Sequence, residues 1–333
     1  MKISVVLPVY NSLGTLEKAV KSILNQTFED FELLIINDGS TDGSTEMINT
    51  LSLKDPRIKV FHLRRMGIAR ALNFGLKMSS GKYIARMDAD DFSHSDRLQV
   101  QFDYLEKHPE VGLVSCKVIF KGDKKISEGY ALFVEWINCI LTSQDILRKR
   151  FQESPFAHPS VFFRSSLPRK FGGYAEGNIP EDYELWLRWL HHGVVMEKTE
   201  QFLLEWHDNP SRLSRIHQHY HMDNFFKIKA HYLSLFLHQK FRDHIPELWI
   251  WGAGRTVNKK IKPLTDHGLR VSKHIDVKKH ERTSSKFIHY LNIPDAGKVF
   301  ILCYVSDRKG KEEILSFLLK KGYQEGSDYF MMA

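Results

Sequence analysis

The sequence contains little that would place the protein in a membrane or in an oxidising compartment. No stretch approaches the roughly 18–20 consecutive apolar residues of a membrane-spanning helix. The first eight residues, MKISVVLP, are typical of a buried strand and too short for a signal peptide. Only three cysteines are present (Cys116, Cys139 and Cys303), without the spacing of a metal or redox motif. These absences predict a cytoplasmic location.

The overall composition is that of an ordinary globular protein with an excess of positive charge. Of the 333 residues, 42% are hydrophobic and 26% are charged, and the chain is long enough for two domains. The formal net charge of +8 favours anionic partners such as nucleotide phosphates, lipid phosphates or an anionic membrane face. Nucleic acid would also suit this charge, but no nucleic-acid recognition motif is present, so none is predicted as a partner.

A short apolar segment that ends in carboxylates is the most informative stretch. Residues 83–87 predict a buried strand, and Asp88, Asp90 and Asp91 follow it directly. Carboxylates in one turn can converge on an ion, and hard cations such as Mg²⁺ or Mn²⁺ prefer oxygen ligands. An isolated Asp-x-Asp is nevertheless more often a solvated turn or a helix cap. The neighbouring strands decide between these interpretations.

Strands and helices alternate through the first part of the chain. The predicted strands are residues 3–9, 31–36, 58–63 and 83–87. This alternation predicts an α/β fold whose sheet is mainly parallel, with helices on both faces. Ligands of such sheets gather at the carboxyl ends of the strands, where Tyr10, Asp38 and Asp88 are expected.

The residues at those strand ends suit a nucleotide. Tyr10 can stack on a base, and the backbone before it can bond the base edge. Asp38 can accept a hydrogen bond from a base or a ribose, and Arg70 can pair with a phosphate. Asp88 can reach the ribose or the metal, and Asp90 the metal and the diphosphate. The predicted nucleotide-binding set is Pro8, Val9, Tyr10, Asn11, Asp38, Gly67, Arg70, Asp88, Ala89 and Asp90.

Five segments together resemble the inverting glycosyltransferases of family 2, which have the GT-A fold. They are VVLPVYN at 5–11, SILNQT at 22–27, NDGSTD at 37–42, GIARALN at 67–73 and DADD at 88–91. The resemblance implies that the first half of the chain binds a nucleoside-diphosphate sugar, with UDP as the expected nucleotide, and Mn²⁺ or Mg²⁺. It further implies transfer of the sugar to a hydroxyl acceptor with inversion, in the synthesis of a cell-surface polysaccharide or other glycan.

The same resemblance places the catalytic base in the pair Glu181-Asp182. The pair begins an amphipathic helix, where acids are in any case favoured by the helix dipole. Inverting transfer needs a carboxylate that takes the proton of the attacking hydroxyl. Placement in the family pattern makes Asp182 the predicted base and Glu181 the alternative, or a residue that orients the acceptor.

Beyond the predicted strand at residues 202–207, the resemblance implies groups that close over the diphosphate. His207 is a predicted third metal ligand beside Asp88 and Asp90, or a diphosphate contact, and Arg212 and Ser214 are weaker diphosphate candidates. The Gln-x-x-Arg-Trp pattern and membrane spans of processive members are absent from this sequence. We therefore expect one or a few sugars to be added per encounter.

The sequence predicts three parts: a GT-A catalytic domain at 1–214, a helical connector at 215–245 and a small Rossmann-like domain at 246–333. The basic connector is interpreted as a packed helix. An alternative is that it forms a surface for an anionic membrane, peripherally at the inner face, where a lipid-linked rather than a free glycan acceptor would lie.

The third part resembles the small domain in front of some bacterial sugar-modifying acyltransferases. Gly252-x-Gly254 after one strand and Asp276 after the next are typical of a dinucleotide site. However, Val257 occupies the third glycine position, and the domain is too short for a complete dinucleotide fold. We expect a packing or homo-oligomerisation module, or a nucleotide or sugar binder, rather than a redox domain.

Three other functions agree less well with the sequence. A nucleotidyltransferase would need a loop rich in glycine and lysine after the first strand, where this sequence has NSLG at 11–14. A nucleotide-sugar sensor without activity would not need Glu181-Asp182. A nicotinamide-dependent oxidoreductase would depend on Gly252-x-Gly254 alone.

Overall fold

The computed structural model divides the chain into two units. It describes residues 1–209, 212, 215, 217–242, 244–277 and 286–333. The first unit comprises residues 1–146 and 155–217, and the second comprises 147–154 and 218–333. Across the described ranges, none of the helices combines the length and apolar character needed to span a bilayer.

An eight-stranded sheet forms the centre of the first unit. Its strands are β1 (Ile3–Val9), β2 (Phe31–Asn37), β3 (Ile58–His62), β4 (Tyr83–Arg86), β5 (Phe92–Ser93), β6 (Val111–Lys121), β7 (Phe162–Arg164) and β8 (Val195–His207). Their spatial order is β3-β2-β1-β4-β7-β6-β8-β5. The pairs β1–β2, β1–β4, β2–β3 and β6–β8 are parallel, whereas β7 runs antiparallel to both of its neighbours and β5 antiparallel to β8. The predicted α/β fold with a mainly parallel sheet is confirmed.

Helices cover both faces of this sheet. They are α1 (Leu13–Leu24), α2 (Ser44–Ser52), α3 (Ile68–Met78), α4 (Arg97–Lys107), α5 (Glu128–Asn138), α6 (Ser143–Lys149), α7 (Ser166–Phe171) and α8 (Glu181–His191). Alternate residues of β1 point to opposite faces, so Val5 packs in one hydrophobic cluster with Leu16 of α1, and Val6 packs in another with Leu72 of α3. Burial on both faces explains why β1 is a continuous apolar run.

Residues 88–91, called the acidic turn below, follow β4, and Gln26 ties the chain that continues from them to the end of α1. Its Nε2 donates to Ser93 Oγ at 3.1 Å and to the His94 carbonyl at 2.6 Å, and its Oε1 accepts from the Leu98 N–H at 2.9 Å. Gln26 is 5% exposed, so these bonds are shielded from water. The carboxylates after β4 are thereby held on both sides, by β4 and by this anchored segment.

The second unit contains a five-stranded parallel sheet. Its strands are β9 (Glu247–Trp251), β10 (Val271–Asp276), β11 (Phe287–His289), β12 (Val299–Cys303) and β13 (Tyr329–Met331), in the order β11-β10-β9-β12-β13. The helices are α9 (Met222–Phe241), α10 (Arg255–Asp266) and α11 (Arg308–Lys320). Buried Lys229 of α9 donates to the carbonyls of Gln152 at 2.8 Å and Met332 at 3.1 Å, which joins residues 147–154 to this unit.

Candidate active site

The loop before α3 is organised by Asp38, the residue that follows β2. Its Oδ1 accepts from the Met66 N–H at 2.7 Å, and its Oδ2 accepts from the Gly67 N–H at 2.9 Å and from Arg65 Nη1 at 2.6 Å. Gly67 has φ +91°, a left-handed conformation that favours glycine. Asp38 is 2% exposed and shapes the loop from which α3 starts; its predicted contact with a base or ribose stays a prediction.

Tyr10 presents an aromatic ring at the same edge of the sheet. The ring is 42% exposed, and the Arg65 guanidinium carbon lies 3.2 Å from its centroid. Asn11, with φ +49°, accepts from the Thr41 N–H at 2.8 Å through Oδ1. The loops after β1 and β2 are therefore joined beside an exposed aromatic ring. Pro8 and Val9 are buried within β1, so they can face a ligand only through their backbone.

Three carboxylates converge after β4. One ligand oxygen each from Asp88, Asp90 and Asp91 lies within 4.8 Å of the others. Asp91 is 1% exposed, and its Oδ1 accepts from the His207 N–H at 2.8 Å. Its Oδ2 has no hydrogen-bond partner among the described residues. Ala89, between the acids, is buried. The predicted metal ligands Asp88 and Asp90 are thus joined by Asp91, the third acid of the motif, which the sequence did not mark as a ligand.

Burial and mutual repulsion make this cluster costly without a cation. Burial raises the pKa of Asp90, and the Asp88 charge raises it further, although Arg212 opposes both. Burial likewise raises the pKa of Asp91 well above its usual range; Arg212 opposes this, and Asp88 and Asp90 add to it. Oxygen ligands only, with one buried oxygen lacking a partner, fit a hard divalent cation such as Mn²⁺ or Mg²⁺.

Arg86 supplies a buried positive charge beneath the cluster. It is the last residue of β4, is 4% exposed and forms an ion pair with Asp88. Burial alone would lower its pKa, but the Asp88 carboxylate raises the pKa of Arg86 above its usual value, so the side chain is charged. Sequence reasoning assigned no role to Arg86; a cation within an otherwise apolar strand was the available signal.

Asp182 lies in the first turn of α8, which begins at Glu181. Its Oδ1 accepts from the Tyr183 N–H at 2.7 Å. Burial raises the pKa of Asp182 to about 6, with Asp88 contributing, against the Tyr183 N–H and the Arg86 charge, which lower it. A carboxyl that ionises near this pH is matched to general-base work at neutral pH. Glu181 beside it is 2% exposed.

Tyr174 and His158 form a buried pair. Tyr174 Oη lies 2.9 Å from His158 Nε2. Burial raises the pKa of Tyr174; Arg86 opposes this, and the charges of Glu181, Asp182 and Asp88 raise it further. Burial lowers the pKa of His158 well below its usual value, so both rings are uncharged at neutral pH. The pKa of Tyr174 therefore depends on the charge of the acidic turn and on that of the predicted base. Neither ring was assigned a role from sequence.

His207 is placed beside the acids through its backbone. It ends β8, and its N–H binds Asp91. Its ring is not a member of the carboxylate group; Nε2 lies 3.7 Å from Glu205 Oε2. Burial, followed by the Lys18 charge, lowers the pKa of the ring. Its role as a third ligand stays a prediction.

Of the other predicted phosphate contacts, Arg70 and Arg212 are described and Ser214 is not. Arg70 Nε donates to Glu176 Oε2 at 2.7 Å, and both side chains are about half exposed. The Arg212 guanidinium carbon lies 3.7 Å from the Trp206 ring centroid, and Nη1 is buried without a hydrogen-bond partner in the part of the chain that the structure describes. Ser214 lies outside the described residues.

A known family of sequences matches the N-terminal half of the chain. The model of the family named Glycosyl transferase family 2 matches residues 4–168. An Escherichia coli relative, UDP-Gal:alpha-D-GlcNAc-diphosphoundecaprenol beta-1,3-galactosyltransferase, is 30% identical over 211 residues, 61% of this chain and 73% of that protein. An uncharacterized glycosyltransferase of Rickettsia conorii is 38% identical over 183 residues, which are 54% of this chain. The alignment spans only 28% of that rickettsial protein's length.

Solved structures share the fold. Staphylococcus aureus TarS in complex with UDP has a TM-score of 0.55 and 16% identity, covering 80% of this chain and 70% of that one. The mannosyltransferase PcManGT of Pyrobaculum calidifontis, solved with GDP-Man and Mn²⁺, has a TM-score of 0.52 and 18% identity, with 80% and 68% coverage. At such identities the likeness concerns the fold, and it confirms the GT-A architecture.

Proposed function

The chain belongs to Glycosyl transferase family 2, and from that membership we propose that it transfers a sugar from a nucleoside-diphosphate donor to a hydroxyl acceptor with inversion. The observation that carries the proposal is the convergence of Asp88, Asp90 and Asp91 within 4.8 Å, with the half-buried carboxyl of Asp182 close enough for Asp88 to raise its pKa. Inverting transfer needs both features, a counter-charge for the leaving group and a proton acceptor for the attacking hydroxyl.

The acidic turn is the proposed place of the metal. Asp88 and Asp90, with Asp91 behind them, would hold Mn²⁺ or Mg²⁺, and His207 is the proposed further ligand or diphosphate contact. The ion, when bound, supplies charge neutralisation for the departing diphosphate. Arg212, whose Nη1 has no hydrogen-bond partner among the described residues and whose charge already acts on Asp90 and Asp91, is suited to the same diphosphate.

Asp182 is the proposed base. The Tyr183 N–H holds its Oδ1 and so orients the carboxyl group. Above a pH of about 6 the group is ionised and can accept the proton of the acceptor hydroxyl as that oxygen attacks the anomeric carbon. The Arg86 charge favours this ionised form. Glu181 is the alternative base, and its burial suits a residue that orients the acceptor.

We propose that the donor nucleotide lies on Tyr10, with Asp38, Asn11 and Gly67 shaping its pocket and Arg70 near its phosphates. Uridine is the proposed base because TarS was solved with UDP and the E. coli relative is named for UDP-Gal. PcManGT was solved with GDP-Man, so guanosine is the competing choice.

The proposed acceptor is a glycan or a lipid-linked sugar, in keeping with the diphosphoundecaprenol acceptor in the name of the E. coli relative. A role in polysaccharide synthesis, with peripheral membrane contact, follows from that acceptor. Residues 1–214 are the proposed catalytic domain, and 246–333 the accessory domain.

Nucleotide release from uridine, guanosine and thymidine diphosphate sugars, with Mn²⁺ and with EDTA, tests the proposal. We expect the wild type to release nucleotide from one donor only with metal, and Asp90→Asn to lose at least about 100-fold of that rate because a ligand to the leaving-group cation is gone. Asp96→Asn, which neutralises an exposed acid at the start of α4, is the matched control and should keep the rate. Release in EDTA, or equal losses in both variants, would contradict the metal assignment.

A further inference from the structure

The segment that leads into α8 is fastened on both sides. Residues 172–180 connect α7 to α8, and Asp182 lies two residues beyond them. On one side, Arg188 of α8 donates from Nη1 to the Phe171 carbonyl and from Nη2 to the Gly173 carbonyl, both at 2.5 Å. On the other side the contacts come from α3. The position of the proposed base therefore depends on how α8 and α3 hold residues 172–180.

Asn73 makes the central contact from α3. Its Nδ2 donates to the Tyr174 carbonyl at 2.8 Å, and its Oδ1 accepts from the Tyr174 N–H at 2.8 Å. The amide side chain thus satisfies both backbone groups of one residue, as a neighbouring strand would. A side chain at position 173 would collide with Asn73 Oδ1, which explains the glycine there.

The side chain of Tyr174 is held as well as its backbone. The residue is 4% exposed, and its hydroxyl meets buried His158. Fixing the Tyr174 backbone therefore fixes a ring that lies in the field of Asp88, Glu181 and Asp182. The ion pair between Arg70 and Glu176 is a second link from α3 to the segment, but its exposure makes it weak, so Asn73 dominates.

The other end of α3 belongs to the proposed nucleotide pocket. Asp38 binds the N–H of Gly67, the residue from which α3 starts, and Asn73 lies less than two turns further on. One short helix consequently contacts both the Asp38 loop and the segment that carries the base.

We propose that Asn73 is a positioning residue for sugar transfer: by holding the Tyr174 backbone it places the first turn of α8, and with it Asp182, against the donor site. The inference rests on the proposed function for its consequence in catalysis. The two hydrogen bonds between Asn73 and the Tyr174 backbone, called the clamp below, belong to the folded chain. Their presence can be measured without a substrate.

The chain offers a matched control in Asn138, the last residue of α5. Its Oδ1 accepts from the Val118 N–H at 2.9 Å, and its Nδ2 donates to the Val118 carbonyl at 2.8 Å. As between Asn73 and Tyr174, one amide side chain binds both backbone groups of one residue, but that residue, Val118, lies in β6. Asn138→Ala therefore removes the same two hydrogen bonds elsewhere in the first unit.

Hydrogen–deuterium exchange of wild type, Asn73→Ala and Asn138→Ala tests the clamp. Loss of the two partly buried hydrogen bonds should speed exchange in residues 172–184 about tenfold or more in Asn73→Ala, whereas Asn138→Ala should speed exchange in β6 instead. Asn73→Asp has nearly the same shape but places an oxygen against the Tyr174 carbonyl, and serves if the alanine variant folds poorly. Unchanged exchange at 172–184 in both Asn73 variants overturns the proposal.

Steady-state kinetics tests the consequence. We expect Asn73→Ala to lower kcat about tenfold or more while the donor KM stays within about twofold, because only the base is misplaced. Asn138→Ala should not show this split. A change confined to KM, or equal losses in both variants, overturns the positioning role. A wild type that transfers no sugar would refute the proposed function, and the exchange result would still decide the clamp.

Discussion

Among single residues, Asp182 shows how burial raises the pKa of a carboxyl group at the expense of stability. Its pKa in the folded chain, about 6, lies above the ordinary value of 3.8, with burial as the main cause. The folded state therefore binds this proton more tightly than the unfolded state does. Stability falls as pH rises from about 4 to about 6, and the ionised form then costs on the order of 3 kcal/mol, since each pKa unit is about 1.4 kcal/mol.

Asp182→Asn should therefore stabilise the protein. The amide keeps an oxygen for the Tyr183 N–H and removes the half-buried charge, so we expect a gain of about 1–3 kcal/mol in the free energy of unfolding at neutral pH, vanishing below a pH of about 4. Urea unfolding at several pH values measures it. Asp55→Asn is the opposite case, since hydrogen bonds from Arg57 lower the pKa of Asp55, and it should lose stability at neutral pH. If Asp182→Asn were less stable than the wild type at neutral pH, the ionised Asp182 carboxylate would not destabilise the folded chain.

The acidic motif was readable from sequence because its members are neighbours in the chain. Tyr174 was not, because its partner Asn73 lies 101 residues away and nothing local marks the pair. Arg86 received no role from the sequence, because only the folded chain shows that it forms an ion pair with Asp88. Site residues that are neighbours in the chain could therefore be predicted from the sequence, whereas residues brought to the site by tertiary contacts could not.

At the scale of elements, α3 and β1 show how closely a helix must approach the sheet that carries the site. Gly75 of α3 faces Val6 of β1: a Cβ at position 75 would lie 2.5 Å from Val6 Cγ1 and 3.3 Å from Ile36 Cγ1. Both neighbours are buried, at 1% and 0% exposure. The glycine therefore sets the distance between α3 and the strands that end at Tyr10 and Asp38.

Gly75→Ala should push α3 away from β1. Overpacking of this kind costs about 1–3 kcal/mol, which outweighs the gain in helix propensity of about 0.5–1 kcal/mol. Gly14 of α1 has open space where its Cβ would lie, so Gly14→Ala should stabilise by roughly that propensity gain. Denaturant titration compares the two. Equal effects of both substitutions would show that the contact between α3 and β1 is loose.

Strands with a clear apolar pattern were predicted from the sequence, whereas the shortest strands were not. Strands β1 to β4 agree with their predicted bounds to within one residue, because each is an apolar run that ends at a loop. Strands β5 and β7 have two and three residues and carry no periodic signal, so they were missed, as was the reversal of direction at β7. In the second unit, β11 and β13 were missed for the same reason.

For the whole molecule, the family and the GT-A fold concern the first unit, and the second unit needs its own explanation. Its five parallel strands form a sheet of Rossmann-like order, and Gly252 after β9 has φ +131°. A Cβ at Gly252 would meet Val257 Cγ2 at 3.1 Å, so the side chain at the third glycine position already fills part of the turn. This filling agrees with an accessory rather than a dinucleotide-binding role, which stays a prediction.

The measurement that tests the central claim most directly is sugar transfer by wild type and Asp182→Asn, with the donor and Mn²⁺ at mildly alkaline pH, and donor binding followed by calorimetry on the same samples. We predict that Asp182→Asn binds donor with wild-type affinity and loses transfer by at least about 1,000-fold, because the hydroxyl proton has no acceptor. Transfer at the wild-type rate would contradict the account and move the base to Glu181 or elsewhere.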